Sequence, residues 1–136
     1  MGVIHHLDAS GIETLLSHSI VGRIACNQAG ERPYLVPLAY AYDGESVYAV
    51  SGPGRKLDLM RADPRISFEV DRVERSDRWE SVVAEGVFEE VTDADEIQMA
   101  VALLDRATGV PVVMGVHSVV FRLRLTTKSG RYELPE

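Results

Sequence analysis

The sequence predicts a mainly β domain, a β-barrel with short helices, and three observations predict it. About six strand-like runs rich in Val, Ile, Tyr and Phe are spread over 136 residues, among them "VGRIACNQ", "RISFEVD" and "WESVVAEGVFEEV". Asp43-Gly44 between two such runs is a strong hairpin signal, and hairpins imply antiparallel pairing. Helical periodicity is confined to three short stretches, early, middle and late. So many strands in so short a chain favour closure into a barrel over an open sheet. Residues 1–136 read as one domain, with no internal repeat, low-complexity tract or linker.

Taken in order, "DASGIETLLSHS" carries candidate caps Asp8 and Ser10 and places Ile12, Leu15 and Leu16 at helical spacing, a short helix over 8–17. "VGRIACNQ" suits a strand and the turn "QAGERP" closes it. "YLVPLAYAYDGESVYAVS" divides into two strands around the hairpin, with Pro37 inside the first. Proline donates no ladder hydrogen bond, so that strand must be an edge, be bulged, or face something other than a strand. Residues 54–62 suit a helix with Leu57, Met60 and Leu59 toward its buried side, stopped by Pro64. "RISFEVD" is a strand, "VERSDR" a charged turn, and "WESVVAEGVFEEV" a long strand with Gly86 as bulge or bend. "DADEIQMAVALLDRATG" is the clearest helix, acidic at its start and terminated by Gly109. "VHSVVFRLRLTTKSGRYEL" completes the domain as an alternating strand.

At 46% hydrophobic and 26% charged, the composition is that of an ordinary globular protein. A net charge of −7 argues against broad binding to nucleic acid or to an anionic membrane, since both need a basic face. No apolar stretch approaches the roughly 20 residues of a membrane span, and no basic-then-apolar leader opens the chain. The one cysteine, Cys26, can form no internal disulfide, so a reducing, cytoplasmic setting is expected. It sits in the apolar run "GRIACN" without a histidine base, which favours an inert packing thiol. His5, His6, His18 and His117 stand at no metal-ligand spacing, so no metal site and no catalytic constellation are read from the residues.

"SGPGRK" is the stretch that best carries chemistry. Its turn exposes backbone N–H groups, and the helix start that follows adds more. Arg55 and Lys56 supply charge there, yet two cations oppose the positive end of a helix dipole. A bound anion would relieve that conflict; the bland alternative is a solvated basic turn. Pro37 frees neighbouring peptide groups for a ligand, or simply blunts an edge strand. Trp79, the only tryptophan, suits stacking on a planar ligand, covering a subunit interface, or packing in the core.

Read in order, "VGRIA", "PYLVPLAYAYDGESVYAVSGPGRKLDLMRADPRISFEVD", "WESVVAEGVFEEV" and "KSGR" resemble the pyridoxamine 5'-phosphate oxidase-like superfamily, nearest its 5-nitroimidazole-resistance flavoprotein branch. The resemblance runs from about residue 8 to residue 131. It implies a split β-barrel of Greek-key type that forms a homodimer, with FMN held at the subunit interface. Arg55 and Lys56 match the basic pair that grips the FMN phosphate, with Ser51 and Val50 contributing. Val36, Pro37 and Leu38 match the strand whose backbone runs beside the isoalloxazine ring. Ser81 stands where oxidase relatives place a glutamine against the flavin, flanked by Trp79 and Val82 on a strand that serves the cleft across the dimer.

Two departures matter. The nitroimidazole-resistance branch carries a histidine where "AVSGPG" here has Val50 and Ser51, and "KSGRYELPE" has Arg131 without a partner histidine, so vitamin B6 synthesis is not expected. The resemblance implies a flavin-dependent oxidoreductase passing electrons from NADH or NADPH to a small organic substrate. Its alternatives are the same fold with a deazaflavin or haem, or a non-catalytic flavin-binding or storage module.

Overall fold

The structure is a computed structural model and describes residues 2–136. Eight strands and three helices form in the order β1 Gly2–His6, α1 Ala9–His18, β2 Val21–Cys26, β3 Tyr34–Ala39, β4 Ala41–Tyr42, β5 Ser46–Ser51, α2 Arg55–Ala62, β6 Arg65–Arg75, β7 Arg78–Glu90, α3 Ala94–Thr108 and β8 Val119–Pro135. All strand pairs are antiparallel, and the sheet runs β3-β2-β6-β7-β8-β5-β4, with β1 added along β8. The sheet curls on itself as a split barrel. Among the described residues no helix is long and apolar enough to cross a membrane.

Period-two alternation explains the closure. Ile66, Phe68 and Val70 of β6 and Val82, Ala84 and Phe88 of β7 are buried, while their neighbours face outward. The inward set meets Ile24, Tyr40, Val47, Phe121 and Leu123 in one core, where the Tyr40 and Phe68 rings pack edge to face at 5.0 Å. Each helix covers an exposed flank of this core. Asp8 caps α1 by accepting from Gly11 N at 2.8 Å, and Leu15 and Leu16 point inward. On α3, Asp93 accepts from Glu96 N, Gly109 ends the helix at φ 73°, and Ala100 packs with Val91 and Val120 in a smaller cluster.

Pro37 lies on β3, which among the described residues pairs only with β2 and so is an edge, as a ladder proline requires. The register shift of the β7–β8 ladder falls between Glu85 and Gly86, and a Cβ at Gly86 would stand 2.7 Å from the Arg124 carbonyl oxygen. Two expectations need correction, and one strand was not anticipated. The charged segment "VERSDR" is mostly ladder: β6 continues to Arg75 and β7 begins at Arg78, because Arg72–Glu80 and Arg78–Glu74 ion pairs suit an exposed ribbon. The N-terminal "GVIHH" is a strand, recruited by pairing with residues 131–135. The final strand starts at Val119, so residues 116–118 belong to the connection from α3.

Candidate functional site

The segment from Ser51 to Lys56 joins β5 to α2. Gly54 is the N-cap of α2 at φ 167°, ordinary extended backbone, and it brings no side-chain hydrogen bond to the free amides of the first turn. Leu57 and Met60 fix the helix by burial in the core, which leaves Arg55 and Lys56 at its exposed start. Asp58 in the first turn suits the dipole and offsets the two cations in part. Among the described residues neither Arg55 nor Lys56 forms an ion pair.

Arg55 is nevertheless held. Its Nη2 donates to Gln28 Oε1 at 2.8 Å, and its guanidinium lies 4.5 Å over the Tyr34 ring. Gln28 opens the β2–β3 turn and Tyr34 opens β3, so the two ends of that connection converge on the start of α2, distant in sequence. Sequence reading missed both residues. The charge of Lys56 acts on Cys26 at the end of β2; burial outweighs it and pushes that thiol up. A buried thiol held protonated is a packing group, not a nucleophile.

The other expected residues divide by face. Ser51 is buried, and its hydroxyl donates to the Gly52 carbonyl at 2.9 Å, so it turns lone pairs rather than a proton toward its surroundings. Val50 points the opposite way, into an apolar cleft of about 430 Å³ with Ile20, Val21, Ala39, Leu104 and the segment Val110–Val113. On β3, Leu38 is buried and Val36 packs against the core, while Pro37 faces out with Leu35 and Ala39, opposite Arg23. A larger open cleft of about 1020 Å³ begins at Gln28 and runs past Pro33, Leu59, Asp63 and Arg65.

Trp79, Ser81 and Val82 occupy β7, near the β6–β7 turn. Val82 is buried, Ser81 lies between Asp71 and Arg131, and the Trp79 Nε1 donates to the buried Glu133 carboxylate at 2.8 Å. The structure does not gather these three with Arg55. The row through Tyr34 continues to Cys26, Ile66 and Gly86, while Ser81 is opposite Asp71 on β6. Three strands across at about 4.8 Å and five residues along at about 3.3 Å separate Ser81 from Tyr34, roughly 20 Å on the sheet.

Outward on the same sheet, Arg23 reaches both Glu69 and Asp71 at 3.5 Å. Burial, then the hydrogen bond that protonated Glu69 donates to Asp71 and the charge of Asp71, push Glu69 up to about 7 against the pull of Arg23. Among the described residues no cluster of His, Cys, Asp and Glu would hold a metal ion.

The sequence matches the family model described as pyridoxamine 5'-phosphate oxidase over residues 8–132. The chain belongs to the pyridoxamine 5'-phosphate oxidase family. That family binds flavins. A protein described as an FAD-binding protein of Mesorhizobium loti has a solved structure that superposes with a TM-score of 0.82 at 36% identity, covering 96% of this chain and 98% of the relative. A protein of Bacteroides thetaiotaomicron described as a 5-nitroimidazole antibiotic resistance protein superposes at 0.83 with 18% identity, covering 97% and 89%, a likeness of fold. An uncharacterized protein of Rhizobium meliloti (strain 1021) is 37% identical over 71 residues, 52% of this chain and 46% of its own length. The pyridoxamine 5'-phosphate oxidase fold thus accounts for the split barrel and for the strand order around the β5–α2 turn.

Proposed function

We propose that this protein binds FMN at a homodimer interface and acts as a flavin-dependent oxidoreductase on a small organic substrate, with NADH or NADPH as electron donor. The observation that carries the reading is the start of α2: free first-turn amides beside two adjacent cations that lack ion-pair partners among the described residues. These donors suit a terminal phosphate. Arg55 offers a planar fork, Lys56 a point charge, and the helix start its partial positive charge. Ser51, whose hydroxyl hydrogen is turned to Gly52, would accept from the ligand rather than donate to it.

Once bound, a flavin supplies two-electron hydride chemistry that needs no acid or base from the protein. The β3 edge brings Pro37 and free peptide groups to the surface three residues beyond Tyr34, the ring that carries Arg55. Ser81, roughly 20 Å from that clamp across one sheet, would reach the same ligand only from a second copy. Trp79 and Val82 would come with it. A second reading places FAD in the same clamp. It is favoured by the Mesorhizobium loti relative and by the cleft of about 1020 Å³ that begins at Gln28.

The test is the absorption spectrum of the protein as isolated, mass identification of any released flavin, and titration of FMN into the Arg55→Ala/Lys56→Ala double variant. Two charged hydrogen bonds at roughly 1.5–3 kcal/mol each, discounted for the exposure of Arg55, give an expected loss of about 2–4 kcal/mol. Unchanged affinity in the double variant removes the clamp from the site. Light scattering that shows a monomer with flavin bound removes the dimer.

A further inference from the structure

We infer that Gln28 and Tyr34 are positioning residues for Arg55, and that the β2–β3 turn thereby sets affinity for the phosphate of the ligand. The inference rests on the phosphate clamp proposed above and adds what makes that clamp directional.

Gln28 has one way to sit. Its Nε2 donates to the Arg32 carbonyl at 2.7 Å, which turns Oε1 outward to accept from Arg55 at 2.8 Å. An amide with both ends engaged has its orientation fixed by the network. The Glu31 amide returns to the Gln28 carbonyl at 3.2 Å and Gly30 takes φ 70°, so the turn itself is closed around this residue. Tyr34 is half-buried against the core, which anchors its ring. The guanidinium is therefore pinned by one face, 4.5 Å over that ring, and by one Nη2 hydrogen bond.

A guanidinium carries five N–H donors. Only the bond to Gln28 occupies Arg55 among the described residues, and the remaining donors include an edge able to take two phosphate oxygens. An exposed arginine on a short helix otherwise spends most of its time elsewhere, and holding it lowers the entropy lost on binding. Gln28 is neutral, and this matters: a carboxylate in its place would hold Arg55 as firmly but cancel its charge.

The experiment compares FMN with riboflavin, which has the ring and lacks the phosphate, by fluorescence titration of folded protein. Wild type should prefer FMN. Gln28→Ala and Tyr34→Leu should each lower the FMN-to-riboflavin affinity ratio about three- to tenfold, with riboflavin affinity unchanged. Tyr34→Phe should restore the ratio. Gln28→Glu should lower it further than Gln28→Ala, although it adds an ion pair that a purely structural role would welcome. An unchanged ratio in both Gln28→Glu and Tyr34→Leu overturns the inference while leaving the clamp intact. Should Tyr34→Leu not fold, an unchanged ratio in Gln28→Glu alone overturns it. A wild type without preference for FMN overturns the clamp, and this inference with it.

Discussion

Glu133 is the residue whose removal should unfasten the end of the barrel farthest from the β5–α2 turn. It is 8% exposed, and its two oxygens are divided between two distant parts of the chain. Oε1 accepts from Trp79 Nε1 and Oε2 from the Gly2 amide, each at 2.8 Å. Gly2 lies so close to β8 that a Cβ there would stand 2.3 Å from the Leu134 carbonyl oxygen. Glu133→Ala deletes two hydrogen bonds to a charged acceptor, at roughly 1.5–3 kcal/mol each, and strands two donors. Trp79 and Gly2 are half-buried, so water repairs part of the loss, and the expected cost is about 2–4 kcal/mol. Glu133→Gln keeps one carbonyl acceptor for the indole and should cost about 1 kcal/mol. Trp79 is the chain's only tryptophan, so its fluorescence in a urea titration reports the perturbed site directly, with a fall in midpoint at constant slope. A Glu133→Ala protein within about 0.5 kcal/mol of wild type would refute the pinning of Trp79 by this carboxylate.

Two further perturbations test the packing and the charged face of the same sheet. Glu69 is pushed up to about 7 from 4.5, so its stabilising contribution is complete below about pH 4.5 and is lost as pH rises through about 7. Its side chain is 32% exposed; discounted for solvent screening, the difference is roughly 1–2 kcal/mol. Glu69→Gln should therefore flatten urea midpoints between pH 5 and pH 8, and equal slopes in the two proteins would contradict the burial argument. Gly22→Ala would place a Cβ 2.4 Å from Phe68 Cζ and 2.9 Å from the Glu69 carbonyl, against a ring that Tyr40 already confines. The expected cost is on the order of 3 kcal/mol, a fall in Tm of roughly 10 °C by calorimetry; a shift within 2 °C would mean that Phe68 has room to move.

What was legible in the sequence was local. Asp43-Gly44 announces its hairpin because the signal lies within four residues: Gly44 takes φ 98°, and Asp43 Oδ1 accepts from both Glu45 N and Ser46 N. Pro37 and Gly86 mark an edge and a bulge for the same reason, since each alters the ladder at its own position. The β1 strand was not legible, because its five residues are mostly exposed and owe their conformation to β8, more than 120 residues away. The extension of β6 and β7 through "VERSDR" was hidden by charge, which composition assigns to a turn and which cross-strand ion pairs make compatible with a ribbon.

The candidate site divides along the same line. Arg55 and Lys56 stood out because they follow a glycine-rich turn, a feature of adjacent residues. Gln28 and Tyr34 did not, since nothing in "NQAGERPY" refers to a helix that begins 27 residues after Gln28. At least nine of the chain's 14 lysines and arginines lie against carboxylates. Arg55 and Lys56 are adjacent, lack such partners among the described residues, and sit where the helix dipole opposes them, while a neutral amide and an aromatic face hold the arginine in place. Stability alone favours a carboxylate at that point, and the chain has 21 acidic residues from which one could have been supplied. A neutral holder that leaves the charge uncancelled lowers the stability of the free protein and returns it when an anion binds, the linkage expected of a ligand site.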